Sequence, residues 1–468
     1  MKDRAAFFFD EFLKNFGFEP TQGQTALFRS VGELLASDEG DILVVNGYAG
    51  TGKTSAVAAV VNAVRRLELG TVLLAPTGRA AKVLASFAGG KACTIHKEIY
   101  QQKGVGADGF GQFRLRPNKA RSTLFVVDEA SLIGIDEGRE TKMFGSGNLL
   151  EDLVEYVRAG EDNRLIIIGD DAQLPPVGMD ASPALSPAYM DEFGGVSYCR
   201  LTDVVRQERE SGILANATAL REDLRCGALR LKDGYPDVVR ITGGELIDTI
   251  SAAFDRYGQD DVAVLCRSNK RAIRYNLGIR STVLYKEERL VRGDRLMVVK
   301  NCYQFLDEKS PMGYMANGDI AHLVKISRFE ERYGLHFAEA VLRFPDYDME
   351  EVRCKVVLDT LESESASLTY EQQNALYQGV NADYSHITSK AKRYAAVRED
   401  PFYNAVQLKY ADAVTCHKSQ GGQWSCVIID CPFWLDEQSE DDLKWMYTAL
   451  TRAVKQVYLV NFPDKYFV

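Results

Sequence analysis

The feature that most constrains this chain is the sequence GYAGTGKT at residues 47–54, which matches the pattern GxxxxGK[ST]. An apolar run at 42–45 precedes it and a segment of helical character follows, the context that this pattern requires. Glycines let consecutive backbone N–H groups converge on phosphate oxygens, and the N-terminus of the following helix adds partial positive charge. The segment therefore predicts a nucleoside triphosphate site on an α/β fold.

Each position of this loop has an expected role. The Lys53 side chain would meet the β- and γ-phosphates, and the Thr54 hydroxyl would ligate Mg²⁺. We therefore expect ATP and Mg²⁺ to bind here. The loop residues expected to hold the nucleotide are Gly47, Ala49, Gly50, Thr51, Gly52, Lys53 and Thr54.

Four apolar runs, at 42–45, 72–75, 124–127 and 165–168, end beside Gly, Pro or Asp and precede helix-like segments. Their apolarity is continuous rather than alternating, which is typical of strands buried on both faces of a parallel sheet. Residues directly after such strands lie at the carboxyl edge of the sheet, where α/β proteins bind ligands. Residues 1–205 are therefore predicted to form one α/β domain.

Acidic and amide side chains follow two of these strands. Asp128 is placed to reach a metal ion, and Glu129 beside it is the candidate to polarise the attacking water. Gln173, after the next strand, could touch the γ-phosphate or that water; the alternative is an amide that stabilises its loop. Because phosphoryl transfer spreads negative charge over the γ-oxygens, Arg206 and Arg452 are candidates to stabilise it, although either could be a solvated ion-pair partner.

Continuous apolar runs return at 262–266, 427–430 and 457–460, and shorter β elements lie between 288 and 358. A helical stretch at 370–397 stops before Pro401. The pattern favours a second α/β domain from 206–300 and 411–468. The segment between them, 301–410, is predicted to be a small inserted β-barrel with a helical insertion at about 365–400.

The amino-acid composition excludes some classes of protein but does not identify the function. With 46% hydrophobic and 26% charged residues, the 468-residue chain is neither disordered nor fibrous. No apolar run reaches the ~18–20 residues of a membrane span, and the nine cysteines form no CxxC pair. We therefore expect a cytoplasmic protein without a membrane partner. A net charge of -10 argues against coating nucleic acid nonspecifically but leaves room for a narrow basic channel.

A glycine-rich segment, 101–121, interrupts the first predicted domain. Four glycines between 104 and 111 mark turns, and Phe113 and Leu115 with polar neighbours allow a short hairpin. A surface loop without a binding role is the alternative.

Taken together, the motifs resemble those of superfamily 1 helicases, and most closely the RecD/Dda-like group of the 1B branch. The similarity extends from Gln24 to Val460 and is weakest between 331 and 410. The motifs, in chain order, are GYAGTGKT (47–54), APTGRAAK (75–82), TIHK (94–97), VVDEAS (126–131), GDDAQLPPVG (169–178), LTDVVRQ (201–207), TCHKSQGGQW (415–424) and YTALTRA (447–453). The resemblance implies two RecA-like motor domains and an SH3-like barrel.

The resemblance also implies roles at the nucleotide. Gln24 would read adenine, and Arg206 and Arg452 would contact the γ-phosphate from the second motor domain. The element at 415–423, which includes Gly422, would touch both nucleotide and nucleic acid.

For the strand, the resemblance implies contacts from Pro76, Thr77, Arg79, Thr94, His96, Thr415, His417 and Lys418. Phe110 and Phe113 stand where relatives have a β-hairpin pin that parts the duplex. Two alternatives without a binding role remain open: His96 could be an ordinary buried histidine, and Arg79 could be a solvated charge. The basic residues Lys390, Lys392, Arg393 and Arg398 of the helical insertion could hold the strand, but a solvated face is favoured.

The implied function is an ATP-driven, monomeric motor that moves 5′→3′ on single-stranded DNA and unwinds duplex junctions. An RNA-directed helicase of the same superfamily is one alternative, since no motif reads the 2′-hydroxyl. A protein that grips DNA under nucleotide control without travelling is another. A metabolic P-loop kinase is disfavoured, because it would lack the motifs after residue 413.

Overall fold

The computed structural model describes residues 2–37, 40–105, 111–135, 145–205, 211–224, 229–306, 310, 312, 314–432 and 438–468. Within them the strands form two parallel sheets, a closed barrel and a hairpin. The strands are β1 (Ile42–Gly47), β2 (Gly70–Ala75), β3 (Ala92–Thr94), β4 (Tyr100–Val105), β5 (Gly111–Leu115), β6 (Thr123–Val127), β7 (Arg164–Gly169), β8 (Val196–Leu201), β9 (Val238–Ile241), β10 (Val262–Cys266), β11 (Arg295–Val298), β12 (Ile320–Arg332), β13 (Leu335–Phe344), β14 (Glu350–Val357), β15 (Val406–Tyr410), β16 (Ala413–Thr415), β17 (Trp424–Asp430) and β18 (Ala453–Val460).

Helices cover the sheets and link their strands. They are α1 (Lys2–Phe16), α2 (Gln22–Ala36), α3 (Lys53–Arg66), α4 (Gly78–Ala88), α5 (Ile95–Ile99), α6 (Leu149–Arg158), α7 (Pro187–Met190), α8 (Gly212–Asp223), α9 (Leu246–Tyr257), α10 (Asn269–Gly278), α11 (Tyr370–Asp383), α12 (Lys390–Glu399), α13 (Cys416–Ser419) and α14 (Glu440–Leu450). No helix among the described residues has the length and apolarity needed to cross a bilayer.

The first α/β domain contains a six-stranded sheet in the order β3-β2-β6-β7-β1-β8. The central strands are parallel, and β1 pairs with both β7 and β8. Both faces of the sheet are buried: Leu43 and Val45 pack with α1, α2 and α3 on one side, while Ile42 and Val44 pack with α6 on the other. Burial on both faces is why these strands have no alternation of polar and apolar residues.

The second α/β domain contains a five-stranded sheet in the order β16-β10-β17-β18-β9. Its pairs are parallel, with Val264 opposite Ile428 and Ile429 opposite Leu459. The last helix, α14, is buried against this sheet through Leu443, Trp445 and Met446. Two residues of this domain that contact the first domain, Gln423 and Arg452, directly precede β17 and β18, so they lie at the amino ends of those strands.

Strands β11 to β15 form a closed barrel. In the chain they follow β10 and precede β16, two strands of the second sheet. The first strand of the barrel begins at Arg295, six residues before the predicted start at 301. The apolar run at 295–298 looks like a sheet strand in sequence, and only its antiparallel pairing with β12 and β15 assigns it to the barrel. Helices α11 and α12 leave the barrel between β14 and β15.

The predicted fold class, two parallel-sheet α/β domains with a small barrel and a helical excursion, is confirmed. The glycine-rich segment contains a hairpin in which Tyr100 of β4 pairs with Leu115 of β5. Phe110 lies outside the described residues. The Phe113 ring lies 5.1 Å from that of Tyr303, so the hairpin contacts the segment that precedes β12.

Candidate functional site

The loop between β1 and α3 curls around its own lysine. Gly50 and Gly52 have φ values of 74° and 70°, in the left-handed region that favours glycine. Lys53 Nζ donates to the carbonyl oxygens of Gly47 and Tyr48, the second at 2.9 Å. A Cβ at Gly47 would lie 2.6 Å from Lys53 Cδ, so glycine is needed for the lysine to cross the loop. The loop holds the Lys53 ammonium against its own carbonyl groups and leads directly into the N-terminus of α3, where the helix dipole favours a phosphate.

Gln24 lies behind this loop and is 2% exposed. Its Oε1 accepts from the backbone N–H of Thr21 at 3.0 Å, completing a capping box at the start of α2. Its Nε2 donates to the Thr51 carbonyl at 3.1 Å, and a Cβ at Gly52 would lie 2.5 Å from that nitrogen. The structure thus gives Gln24 a positioning contact with the loop that its sequence motif alone did not indicate.

Two carboxylates follow β6. Asp128 Oδ1 accepts from the backbone N–H of Glu129 at 2.8 Å, and Glu129 takes a left-handed φ of 53°. Burial, reinforced by the neighbouring Glu129 charge, raises the pKa of Asp128 to about 6. The Lys53 charge opposes this rise only in part. A divalent cation suits this site, because a buried carboxylate with little positive charge beside it is a strong hard-oxygen ligand.

Arg452 reaches Glu129 from the other domain. It follows α14, is 2% exposed, and its Nη1 lies 3.9 Å from Glu129 Oε1. The guanidinium is held in place by the carbonyl oxygens of Gly422 and Thr448, each at 3.2 Å. The predicted basic group of the second domain and the predicted acid of the first therefore meet where the two domains join.

Tyr447 is a contact that sequence reasoning missed. Its hydroxyl accepts from the Ala49 backbone N–H at 2.9 Å and donates to Asp170 Oδ2 at 2.6 Å. Helix α14 thus touches both the phosphate-binding loop and the end of β7. The tyrosine stands in the same motif as Arg452, but a tyrosine within a buried helix has the pattern of a core residue.

The loop after β7 is bonded to the second domain through Leu174. Its backbone N–H donates to Thr448 Oγ1 at 2.8 Å, and its carbonyl accepts from Gln420 Nε2 at 2.7 Å. Gln173, the preceding residue, is 6% exposed, and its Oε1 has no hydrogen-bond partner among the described residues.

Arg206 lies outside the described residues. The residue before it, Val205, donates its backbone N–H to the Gly50 carbonyl at 3.0 Å. The chain therefore passes the phosphate-binding loop immediately before position 206.

Some residues predicted to contact single-stranded DNA also stabilise the local fold of the protein. Thr77 caps α4 by accepting from the Ala80 N–H at 3.2 Å, and Thr94 caps α5 by accepting from the Lys97 N–H at 3.3 Å. Pro76 is half-buried between β2 and α4. Burial lowers the pKa of His96 to about 4, so this histidine is neutral at physiological pH.

Arg79 joins the two domains rather than standing alone in solvent. Its guanidinium carbon lies 4.1 Å from the Trp424 ring centroid, and its Nη2 donates to the Gln423 carbonyl at 2.9 Å. Burial lowers the pKa of Arg79 to about 10, so it stays charged. The motifs at 75–82 and 415–424 are thus brought together, as their predicted shared role requires.

The remaining predicted strand contacts lie toward the barrel. Lys418 Nζ donates to Asn317 Oδ1, and burial lowers the pKa of Lys418 to about 8. Thr415 is half-buried before α13 and His417 is exposed. These residues share a segment with Gly422, whose carbonyl accepts from Arg452.

Two families match the chain. An AAA domain matches residues 21–234, and a UvrD-like helicase C-terminal domain matches residues 410–460. The first match contains the phosphate-binding loop and the acids, and the second contains Arg452. The barrel lies between them.

Among individual relatives, the ATP-dependent RecD2 DNA helicase of Deinococcus radiodurans is 33% identical over 180 residues, which are 38% of this chain and 21% of that protein. The chain therefore spans about a fifth of the length of that relative. The ATP-dependent DNA helicase dda of Enterobacteria phage T4 is 22% identical over 483 residues, covering 94% of this chain and 99% of that protein. A solved structure of the Pif1 helicase from Bacteroides with ADP-AlF3 and ssDNA superposes with a TM-score of 0.47 at 16% identity, covering 96% of this chain and 95% of that one.

Proposed function

We propose that this chain is an ATP-driven DNA helicase of the RecD- and Dda-like group of superfamily 1B, whose members it resembles in sequence. It travels 5′→3′ on single-stranded DNA and separates the strands at duplex junctions. The relatives that share its motifs are named as ATP-dependent DNA helicases.

The observation that carries the proposal is the 3.9 Å approach of Arg452 to Glu129 across the domain boundary. An arginine of one domain that faces the acid of the other is placed to interact with a nucleotide bound between the two domains. Positive charge delivered at this point is worth most when negative charge develops on the γ-oxygens during phosphoryl transfer.

The side chains divide the work of hydrolysis. Lys53 and the backbone N–H groups of residues 50–54 hold the phosphates of the substrate ATP. Thr54 and Asp128 would hold Mg²⁺, which when bound neutralises phosphate charge and aligns the phosphoryl group. Glu129 orients the attacking water and takes its proton. Gln24 stiffens the loop from behind through its bond to Thr51.

Hydrolysis is coupled to the strand through segments that serve both sites. Gly422 accepts from Arg452, and the next residue along, Gln423, accepts from Arg79. A change in the spacing of the two domains at the nucleotide therefore also moves Arg79 relative to residues 415–418. If Arg79 and residues 415–418 hold the strand alternately during the cycle, each ATP hydrolysed moves the protein one step in one direction.

The decisive experiment compares duplexes that have a 5′ single-stranded overhang with duplexes that have a 3′ overhang, with and without ATP. We expect unwinding with ATP on the 5′ overhang only, and none by Lys53→Ala. Equal unwinding from either end would contradict the direction. An RNA strand of the same sequence, used as competitor, tests the preference for DNA.

A second measurement separates a motor from a protein that only grips DNA. The rate of ATP hydrolysis by a motor rises with the length of single strand, because a longer track delays dissociation at its end. A rate independent of length would favour the gripping protein.

A further inference from the structure

A cavity of about 210 Å³ is lined in part by Gln173, one of the predicted γ-phosphate residues. The first domain supplies most of its wall, including Ser131, Asp170, Gln173 and Ser182, and the second domain supplies Lys444. Nothing in the roles assigned so far uses this space or Ser131.

Two buried polar atoms at this cavity lack a protein partner among the described residues. Ser131 Oγ and Gln173 Oε1 make no hydrogen bond, although their residues are only 1% and 6% exposed. Leaving such a group unpaired costs about 1–3 kcal/mol, so buried polar atoms nearly always have a partner. Other polar groups of the wall are already engaged: Ser182 Oγ donates to the Ala130 carbonyl at 3.2 Å, and Asp170 accepts from Tyr447.

Ser131 is close to the reacting groups in both chain and space. It stands two residues after Glu129, in the short 3₁₀ turn 130–132. A Cβ at Gly169, the last residue of β7, would lie 3.0 Å from the Ser131 backbone nitrogen. Gln173 follows the same strand end, so the cavity is bordered both by Ser131, two residues after the acid, and by the predicted γ-phosphate sensor.

The chemistry of the wall selects the occupant. Gln173 Oε1 can only accept a hydrogen bond, so its partner must donate, while the Ser131 hydroxyl can do either. The carboxylates of Asp170 and Asp171 in the same wall disfavour an anion. The volume holds several water molecules at ~30 Å³ each, and water needs two to four polar partners of this kind.

We propose that this cavity is a water-holding site and that Ser131 is a positioning residue for the water that attacks ATP. The inference rests on the proposed function. The Ser131 hydroxyl and the Gln173 carbonyl fix a short hydrogen-bonded chain of water, and this chain limits the orientations open to the water beside Glu129. In the step it serves, a bond forms from the water oxygen to the γ-phosphorus, the bond from that phosphorus to the bridging oxygen of ADP breaks, and the proton passes to Glu129.

The test combines structure and kinetics on the full chain. Crystals of the nucleotide-free protein, at a resolution that shows ordered water, should contain water hydrogen-bonded to Ser131 Oγ and to Gln173 Oε1. Ser131→Ala should lose the first of these waters. It should lower kcat for strand-stimulated hydrolysis by at least about tenfold, with KM and the affinity for a non-hydrolysable ATP analogue unchanged.

Two further variants bound the interpretation. Ser131→Thr keeps the hydroxyl and should restore kcat. Ser186→Ala makes the same chemical change in the wall of the same cavity, at a residue without an orphaned buried atom, and should behave as wild type.

A dry cavity, or an unchanged kcat in Ser131→Ala, would overturn the proposal, as would a loss of kcat that Ser131→Thr fails to restore. Failure of the helicase assignment looks different: the wild type would then show no ATP-dependent unwinding, and its hydrolysis would be either unstimulated by a strand or independent of strand length. The crystal structures would still decide whether the water site exists.

Discussion

Nη1 of Arg452 lies 3.9 Å from Oε1 of Glu129, although the two residues belong to different domains and are separated by more than three hundred positions in the chain. The arginine is fixed by two carbonyl oxygens of its own domain, so its position reports the position of that domain. The distance between the Arg452 guanidinium and the Glu129 carboxylate therefore measures the separation of the two domains at the predicted nucleotide site.

Replacing Arg452 by lysine tests this relationship while preserving the charge. Lysine lacks the planar fork that donates to two carbonyl groups at once. We expect kcat for hydrolysis to fall by about 10²-fold or more, since arginines in this role contribute about 10³–10⁵. Binding of fluorescent ADP should change little, and Arg353→Lys on the exposed face of the barrel should leave both quantities unchanged.

Tyr447→Phe removes one hydroxyl that serves two partners. The Ala49 N–H and the Asp170 carboxylate would each lose a buried hydrogen bond, at a cost of about 1–3 kcal/mol in the free energy of unfolding. Denaturant titration measures this cost. Tyr458→Phe, at a partly exposed tyrosine of β18, should cost much less.

Arg79→Ala should weaken binding to single-stranded DNA and reduce its dependence on salt. If Arg79 contacts a phosphate, its loss makes the plot of log affinity against log salt less steep, by about one unit of slope. Fluorescence anisotropy with a labelled oligonucleotide at several salt concentrations gives the slope. An unchanged slope would mean that Arg79 serves only the Trp424 contact, and Arg353→Ala is the charge-matched control.

Asp128 makes stability and metal affinity depend on pH in opposite directions. Its pKa in the folded protein, about 6, lies above the ordinary value of 3.8, so the folded state holds the proton more tightly than the unfolded state. The metal-free protein therefore loses stability as pH rises from about 4 to about 6. Mg²⁺ needs the ionised carboxylate, so its affinity should rise over the same range.

Two variants check this assignment. Asp128→Asn should raise the melting temperature of the metal-free protein at pH 7 and abolish the pH dependence of Mg²⁺ binding, measured by calorimetry in the presence of ADP. Asp255→Asn, at an exposed position of α9, should do neither. A melting temperature lowered by Asp128→Asn would contradict the raised pKa.

Phe113 tests the hairpin as the element that parts the duplex. Phe113→Ala should lower the number of base pairs unwound per ATP while leaving hydrolysis on single strands unchanged, because an aromatic side chain can stack on the last base pair. The double variant with Phe110→Ala should lose more. If the single and double variants unwind as the wild type does, the hairpin is not the separating element.

The parallel sheets are predicted from continuous apolar runs, and the structure confirms them. Local motifs predict the roles of the loop 47–54 and of the acids at 128 and 129, and the structure places these residues directly after β1 and β6. Prediction from sequence is strongest where a pattern is local in the chain. It succeeded less where identity depends on a distant partner. Arg295 begins the barrel, but only its pairing with residues of β12 and β15 distinguishes that strand from those of the sheet before it.

The missed residues share one physical reason. Tyr447 and Leu174 act across the domain boundary through a single hydroxyl and through backbone groups, neither of which leaves a pattern in sequence. The cavity beside Ser131 is likewise invisible, because space between side chains has no sequence signal. Arg452 taken alone could equally be a solvated ion-pair partner, and only the resemblance of the whole set of motifs favours its role at the γ-phosphate.

Leu174 has a mechanical consequence. Because its N–H and its carbonyl are both tied to the second domain, the loop that includes Gln173 belongs to one sheet by covalent connection and to the other by hydrogen bonding. Any rotation of one sheet against the other must either drag this loop along or break both bonds together. The position of Gln173 is therefore coupled to the orientation of the second domain for as long as these two hydrogen bonds persist.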